Sequence, residues 1–458
     1  MTHIKISLKH FLFAAFAALS LMVGTIAWAQ SGARPVIIRD TEIEDTFRGW
    51  ITPLLKVAGL NVESVNLVLV QSDQVNAFVA GGANIFIYTG LIDKTTGPEE
   101  IIGVLAHELG HIAGGHLIDT RDAMRKASYE SILGMVLGVG TAIATGQGAA
   151  ASAIMSGSSS IAQRNFMAHS RVNESSADQA ALRFMEAAHI NPSGLGSFLE
   201  KLESEELLPL DQQSAYMRTH PLTRERIADV ETKAAASTYK DTDLRAEWKE
   251  QHARMKAKLS GYINPGRVPW VYDDRDQSVA ARYARAVAAY RQNETGAAIK
   301  GIDALIATEP DNPYFHELRG QMLKDFGRVA EALPSYRKAV TLKPGAGLIR
   351  ADLGHVLLES AGDNKQTLQE AIDQLHRALQ EEPRTSRIHR LLATAYGRLG
   401  QETQAKLHLA EEALLQGRFP YAKSQASAVQ KTSSQGSREW IQAQDILSQA
   451  ETLENLQN

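Results

Sequence analysis

The chain has 458 residues and not one cysteine. That excludes disulfide staples and a lipid-bearing cysteine near the N-terminus, so any stability must come from buried cores. A decisive charge of either sign is also missing. The formal net charge is −4, with no long basic run and no acidic tail, which excludes nucleic acid as an expected partner. With 44% hydrophobic and 22% charged residues, the length allows two domains with sizeable cores.

The first thirty residues carry a pattern of their own. Lys5 and Lys9 precede an uncharged run from Phe11 to Ala29 that ends in Ala27-Trp28-Ala29. A basic start, an apolar stretch and a small-x-small exit describe a signal peptide over residues 1–29, cut after Ala29. An uncleaved membrane anchor is the alternative, because the run could nearly span a bilayer. For an exported chain without disulfides, a bacterial periplasm is the simplest compartment.

Residues 40–60, "DTEIEDTFRGWITPLLKVAGL", place Ile, Phe, Trp and Leu at helical intervals, with Asp40 or Thr41 as a cap. "VNLVLVQS" (65–72) and "NIFIYTG" (84–90) read as strands around "NAFVAGG" with its glycine turn. Pro98, Glu99 and Glu100 then open a mostly apolar helix that runs to Leu117. From Ser131 to Gln163 no residue is charged. A Gly/Ala-rich helical hairpin or mobile loop is one expectation for 131–163. A membrane-facing or lid-like segment, giving contact with a membrane surface, is the other. A boundary falls in the Gly- and Pro-rich stretch 260–270.

Beyond that boundary a period emerges. Pro310 and Pro344 are 34 apart, and Pro383 follows 39 later. Ten residues after each stands Gly320, Gly354 or Ala393; twelve before each stands Ala298, Ala332 or Ala371. Ala405 keeps the phase in a fourth copy. Small residues there let paired helices approach, and each proline ends the second helix of a pair. The pattern resembles the tetratricopeptide repeat over roughly 279–419, with a poorer helical continuation. Such stacks present a concave groove to peptides or partner proteins.

The chemistry sits in "LAHELGHIAGGH" (105–116). His107-Glu108-x-x-His111 is an H-E-x-x-H sequence. Positions four apart on a helix differ by about 40° around the axis and about 6 Å along it. Two imidazoles therefore lean over one side and can clamp one Zn²⁺, while Glu108 lies where it can take a proton from a water the ion acidifies. A third ligand is needed. His116 falls five residues past His111, about 140° round a continuing helix, and reads as a solvated helix-end residue. Glu174, four residues before Asp178 on a second expected helix, is the better ligand. Asp178 can then accept the remaining N–H of a liganding histidine.

His107-Glu108-x-x-His111 with Glu174-x-x-Ala177-Asp178 resembles the zinc metallopeptidase family that includes the CaaX-prenyl endopeptidase and HtpX. The likeness implies a mainly α zincin-like domain with a small antiparallel sheet, here over 30–265, followed by the α-helical repeat solenoid over 270–458. It implies one Zn²⁺ per chain on His107, His111 and Glu174, with Glu108 as general base. Asp178 is then an orienting residue or a proton donor. It also makes "VNAFVAGGANIFIYTGLI" (75–92) the place of an edge strand for an extended substrate.

"RTHPLTRERI" (218–227) offers His220 and Arg226. One of them could stabilise a developing oxyanion, His220 could fill the open metal position and silence the site, or the segment is a capped helix start with a solvated arginine. The membrane-embedded relatives' transmembrane helices are absent, which points to a soluble or membrane-surface polypeptide substrate. With the signal and the repeats, the resemblance implies misassembled outer-membrane β-barrel proteins as substrates and their assembly machinery as partners. The rival expectations are a chaperone or assembly adaptor with a silent site, and a purely structural zinc module.

Overall fold

The computed structural model describes residues 36–116, 159–208 and 212–457; the expected signal peptide and nearly all of the 131–163 stretch lie outside the described residues. Helix α1 spans Thr41–Val57, and the Asp40 carboxylate caps it by accepting from the Ile43 N–H at 3.0 Å. Ile43, Phe47, Trp50, Ile51 and Leu54 recur at helical spacing and are all buried. They form one wall of the first core, against the sheet and the catalytic-motif helix.

The sheet has four strands in the order β1-β2-β4-β3: β1 Val36–Ile38, β2 Asn66–Gln71, β3 Ala77–Ala80 and β4 Asn84–Tyr88. The sequence pattern does not separate β1 and β3 as strands, and the sheet is mixed rather than purely antiparallel. β1 runs antiparallel to β2 and β3 antiparallel to β4, but β2 and β4 are parallel, Leu67 opposite Ile85. The cause is local. The chain leaves β2, crosses to the far side, runs back as β3 and turns at Gly81-Gly82. The Asn84 amide pins that turn by donating to the carbonyls of Ala80 and Gly81 at 3.1 and 2.7 Å. β4 is thereby inserted between β2 and β3, and β3 becomes the sheet edge.

Helix α2, Pro98–Ala113, starts with proline at its first turn and two glutamates over the helix dipole. It is buried from Ile101 to His111. Around it pack α3 (Ser159–Ala187), α4 (Ser193–Glu203) and, beyond α4, α6 (Arg224–Ala235), with the short α5 (Ala215–Thr219) against β3. No helix among the described residues is long and apolar enough to cross a membrane.

Helix α7, Ala246–Ile263, packs along the first repeat helix. The repeats are the pairs α8/α9 (Val279–Arg291, Thr295–Thr308), α10/α11 (Pro313–Asp325, Val329–Leu342), α12/α13 (Gly347–Ser360, Lys365–Glu381) and α14/α15 (Ser386–Arg398, Glu402–Leu415). Helices α9, α11 and α13 each stop two residues before Pro310, Pro344 and Pro383, as a ring that cannot continue a helix requires. Ala298, Ala332 and Ala371 are fully buried where the helices cross. The continuation past 419 is more regular than its sequence suggests: α16 (Phe419–Thr432) and α17 (Arg438–Gln457) form a fifth pair around Ala422, Ala426, Ala443 and Ala450.

The repeats close back on the first domain through polar contacts. Lys258 on α7 is buried between Asp40 and Glu42, at 2.6 and 3.2 Å, and Glu42 also accepts from the Tyr283 hydroxyl at 2.8 Å. Arg39 reaches Glu382 at 2.7 Å, and Asp45 receives Tyr314 at 2.9 Å and Lys343 at 3.1 Å.

Candidate active site and metal centre

The site begins with a close approach of two helices. Gly110, inside the H-E-x-x-H sequence, faces α3, and a Cβ there would lie 2.6 Å from the Ala177 carbonyl oxygen. With glycine on one helix and alanine on the other, α3 lies against α2 and carries Glu174 and Asp178 over the two histidines. One turn of each helix thus supplies most of the polar groups of a buried cluster.

In that cluster the Nε2 atoms of His107 and His111 are 3.1 Å apart. Glu174 places one oxygen 3.3 Å from each of them. His220, at the C-terminal end of α5, brings its Nδ1 to 3.2 Å from Glu174 and 3.4 Å from His107 Nε2. All four side chains are buried, and their ligand atoms lie within 4.8 Å of one another. A tetrahedral ion with bonds of about 2.0–2.1 Å sets neighbouring ligand atoms about 3.3–3.4 Å apart, so the observed separations fit a metal ion. The donor chemistry fits as well: three imidazole nitrogens and a carboxylate oxygen, all metal-ligating types, converge on one point.

Around this core a second set of groups fixes orientation. Asp178, buried, accepts from His107 Nδ1 at 2.8 Å, which fixes the ring with its Nε2 turned into the cluster. Arg226 lies over both carboxylates: Nη2 donates to Asp178 Oδ1 at 3.0 Å, Nη1 is 3.0 Å from Glu174, and Nη1 also meets the Pro221 carbonyl at 3.1 Å. It is a buried ion-pair partner, not a solvated arginine, although Thr223 does cap α6 as a helix start should, accepting from the Arg226 N–H at 3.2 Å. His116, read from the sequence as solvated, is half-buried with its Nδ1 2.9 Å from His111 Nδ1.

Electrostatics follow from this crowding. Burial opposes ionisation of Glu174, but His220, His107 and His111 around it outweigh that and hold its carboxyl far below the usual range. Burial works against Asp178 too, yet the bonds from His107 and Arg226 bring it down to about 2. His107 would be lowered by burial; its partners Asp178 and Glu174 lift it to about 9. Burial lowers His111. Two buried carboxylates held ionised by their neighbours, with Arg226 the one guanidinium paired with both among the described residues, favour a further cation in the pocket.

Glu108 behaves differently from the other two carboxylates of the site. It is fully buried, and neither carboxylate oxygen makes a hydrogen bond among the described residues; His220 Nε2 lies 3.4 Å from Oε1, too far for one. Tyr216, whose ring lies 4.7 Å from that of His220, has a buried hydroxyl in the same condition. Sequence reading missed Tyr216, which carries no motif signal. It also missed the Ala77 carbonyl, which accepts from His220 Nε2 at 3.1 Å. Since Asn76 turns its carbonyl inward to the Tyr88 N–H, alternation along β3 turns that of Ala77 outward.

Comparison with known proteins agrees with this geometry. Residues 39–234 match the model of peptidase family M48, and residues 275–416 match a tetratricopeptide-repeat family. The chain is 25% identical over 374 residues to the β-barrel assembly-enhancing protease of Escherichia coli (strain K12), covering 79% of this chain and 73% of that protein. It is 31% identical over 189 residues to the metalloprotease YcaL of the same organism, covering 41% of this chain and 69% of the relative. It is 26% identical over 181 residues to the mitochondrial metalloendopeptidase OMA1 of Schizosaccharomyces pombe, covering 39% and 49%. Two buried histidines of an H-E-x-x-H helix converging with Glu174 of a second helix, with these relatives, place the chain in peptidase family M48 as a metalloendopeptidase that carries tetratricopeptide repeats.

Proposed function

We propose that the protein is a periplasmic zinc endopeptidase that cleaves misassembled outer-membrane proteins, and that its repeats hold those substrates or the machinery that assembles them. In this reading a signal peptide over 1–29 precedes a metallopeptidase domain over 30–265 and a repeat domain over 270–458. His107, His111 and Glu174 hold one Zn²⁺, which when bound supplies Lewis-acid polarisation of the scissile carbonyl and acidifies water.

The remaining steps belong to the chain. Glu108 takes a proton from the attacking water and returns it to the leaving amine. Asp178 keeps His107 in the tautomer that binds metal, and Arg226 holds the two carboxylates in register. The outward edge of β3 pairs with an extended substrate backbone, as edge strands do. The observation that carries the proposal is the Glu108 carboxylate, buried beside four converging donors without a hydrogen bond among the described residues, although His220 Nε2 stands 3.4 Å from its Oε1. Burying such a group without a hydrogen bond costs on the order of several kcal/mol, a cost a merely structural site has no reason to bear.

His220 supports a second reading. It fills the fourth corner of the donor set and at the same time occupies the outward carbonyl of Ala77. A chain in this state is silent, and the repeats alone would then act as a chaperone or assembly adaptor. Envelope location and outer-membrane clients rest on the signal-like N-terminus and on the likeness to the β-barrel assembly-enhancing protease.

The Glu108→Gln variant separates these readings. It is expected to retain one zinc per chain and to lose hydrolysis of an unfolded polypeptide. Undiminished hydrolysis would overturn the assignment of Glu108. If the variant still supports outer-membrane assembly in cells, the adaptor role is the principal one.

A further inference from the structure

We infer that His116 is a positioning residue for the metal site: its imidazole accepts the Nδ1–H of His111 and so keeps the Nε2 lone pair of His111 aimed at the ion. The inference rests on the reading of His107, His111 and Glu174 as ligands, and it assigns the one outer partner that reading leaves open. His107 has its Nδ1–H taken by Asp178. A liganding His111 needs the same service, because a ring that coordinates through Nε2 must carry its proton on Nδ1, and a bare buried N–H rotates toward whatever will accept it.

The chain geometry delivers His116 to that nitrogen. On a continuing helix it would sit about 140° away from His111. α2, however, ends at Ala113, and Gly115 takes the left-handed conformation with φ 67°. That turns the backbone over the helix end, and the His116 N–H bonds back to the His111 carbonyl at 3.2 Å. The side chain then reaches His111 Nδ1 at 2.9 Å, with the two rings 5.1 Å apart and inclined by 74°.

Gly114 makes the room. A Cβ at that position would fall 2.5 Å from His116 Nε2 and 2.8 Å from its Cε1. The Gly114-Gly115 pair therefore has two separate duties, clearance for the ring and the reversal of the chain. Since His111 donates, His116 presents an unprotonated Nδ1 and carries its own hydrogen on Nε2.

The test uses the full chain and zinc alone, read by competition with a chromophoric chelator, together with the visible spectrum of the cobalt-substituted protein. His116→Ala should weaken zinc binding by about 10- to 100-fold, the usual effect of losing such a partner, and alter the cobalt bands. His116→Asn puts an amide oxygen where Nδ1 stood and should restore most of the affinity. Metal-free melting should be the same in both variants.

Wild-type affinity in His116→Ala, or equal weakening in His116→Asn, overturns the hydrogen-bonding role. If His116→Ala does not fold, Gly114→Ala decides, because it displaces the ring without removing it: weakened zinc binding supports the role and unchanged binding overturns it. A wild-type protein that binds no stoichiometric zinc would instead overturn the metallopeptidase-site reading itself.

Discussion

Arg226 and Asp178, 48 residues apart, meet as a two-point ion pair in which the guanidinium spans both carboxylate oxygens. The same guanidinium touches Glu174 at 3.0 Å, so a single cation bridges two buried acids that stand one turn apart on α3. Replacing it by methionine keeps the bulk and removes the charge. Breaking a buried pair from one side costs about 3–5 kcal/mol, because the orphaned charge stays behind. Arg226→Met should therefore lower the urea midpoint of unfolding by a corresponding amount, and the metal-free protein should bind zinc more weakly because Asp178 no longer holds His107. A variant as stable as the parent would show that the pair contributes nothing.

Gly110 yields a second expectation. An added methyl group would meet backbone, the Ala177 carbonyl at 2.6 Å and its Cα at 2.8 Å, and backbone cannot rotate aside as a side-chain tip can. Overpacking of this kind costs about 1–3 kcal/mol. Because α3 also carries Glu174, Gly110→Ala should lose stability and metal together. Chemical denaturation and metal analysis on the same preparation would check both, and full zinc occupancy in the variant would separate the helix contact from the ligand geometry.

The two ends of the site were unequally legible. His107, Glu108 and His111 share one turn, so spacing alone announces them, and Glu174 and Asp178 follow because an i, i+4 pair among alanines and serines suits close helix packing. The prolines at 310, 344 and 383 announce the repeats for the same reason, that backbone chemistry is periodic. His116 reads as solvated only if helical phase is extended past the helix end, where the left-handed Gly115 resets it. Arg226 and Tyr216 act through contacts with residues distant in sequence, Asp178 and Phe198 among them, and no local pattern encodes those. The parallel pairing of β2 with β4 was hidden similarly: each strand reads alike in either direction, and only the path of β3 decides.

His220 occupies two positions that the proposed mechanism needs free, the fourth corner of the donor set and the outward carbonyl of Ala77. Removing the imidazole leaves three donors, the number that a catalytic zinc site retains. His220→Ala is accordingly expected to keep one zinc per chain and to hydrolyse an unfolded polypeptide several times faster than the parent, since the competent state no longer competes with a closed one. Turnover and metal content would be measured side by side. Loss of zinc would make His220 an obligatory ligand, and unchanged turnover would show that the contact imposes no restraint.

The repeats carry an acid sensitivity of their own. His389 on α14 and His408 on α15 are both buried, with their Nδ1 atoms 3.1 Å apart, and His376 and Tyr396 pack against His408. Burial, joined by the neighbouring imidazoles, pushes His389 down to about 4 and His408 to about 3. In the unfolded chain each would take up a proton near pH 6.5. Between that pH and about 4 the unfolded state therefore binds more protons than the folded one, so stability is full above pH 6.5 and declines as the pH falls. A tenfold loss of proton affinity on folding is worth about 1.4 kcal/mol, which makes the decline on the order of 3 kcal/mol for His389 alone. Urea midpoints of the full chain at pH 7 and pH 4.5 should differ less in the double variant His389→Gln, His408→Gln than in the parent. Some dependence will remain, because His252, buried against Thr95, is likewise lowered to about 4 by burial and by Lys256. An equal loss of stability in parent and double variant would show that this pair is not what acid acts on.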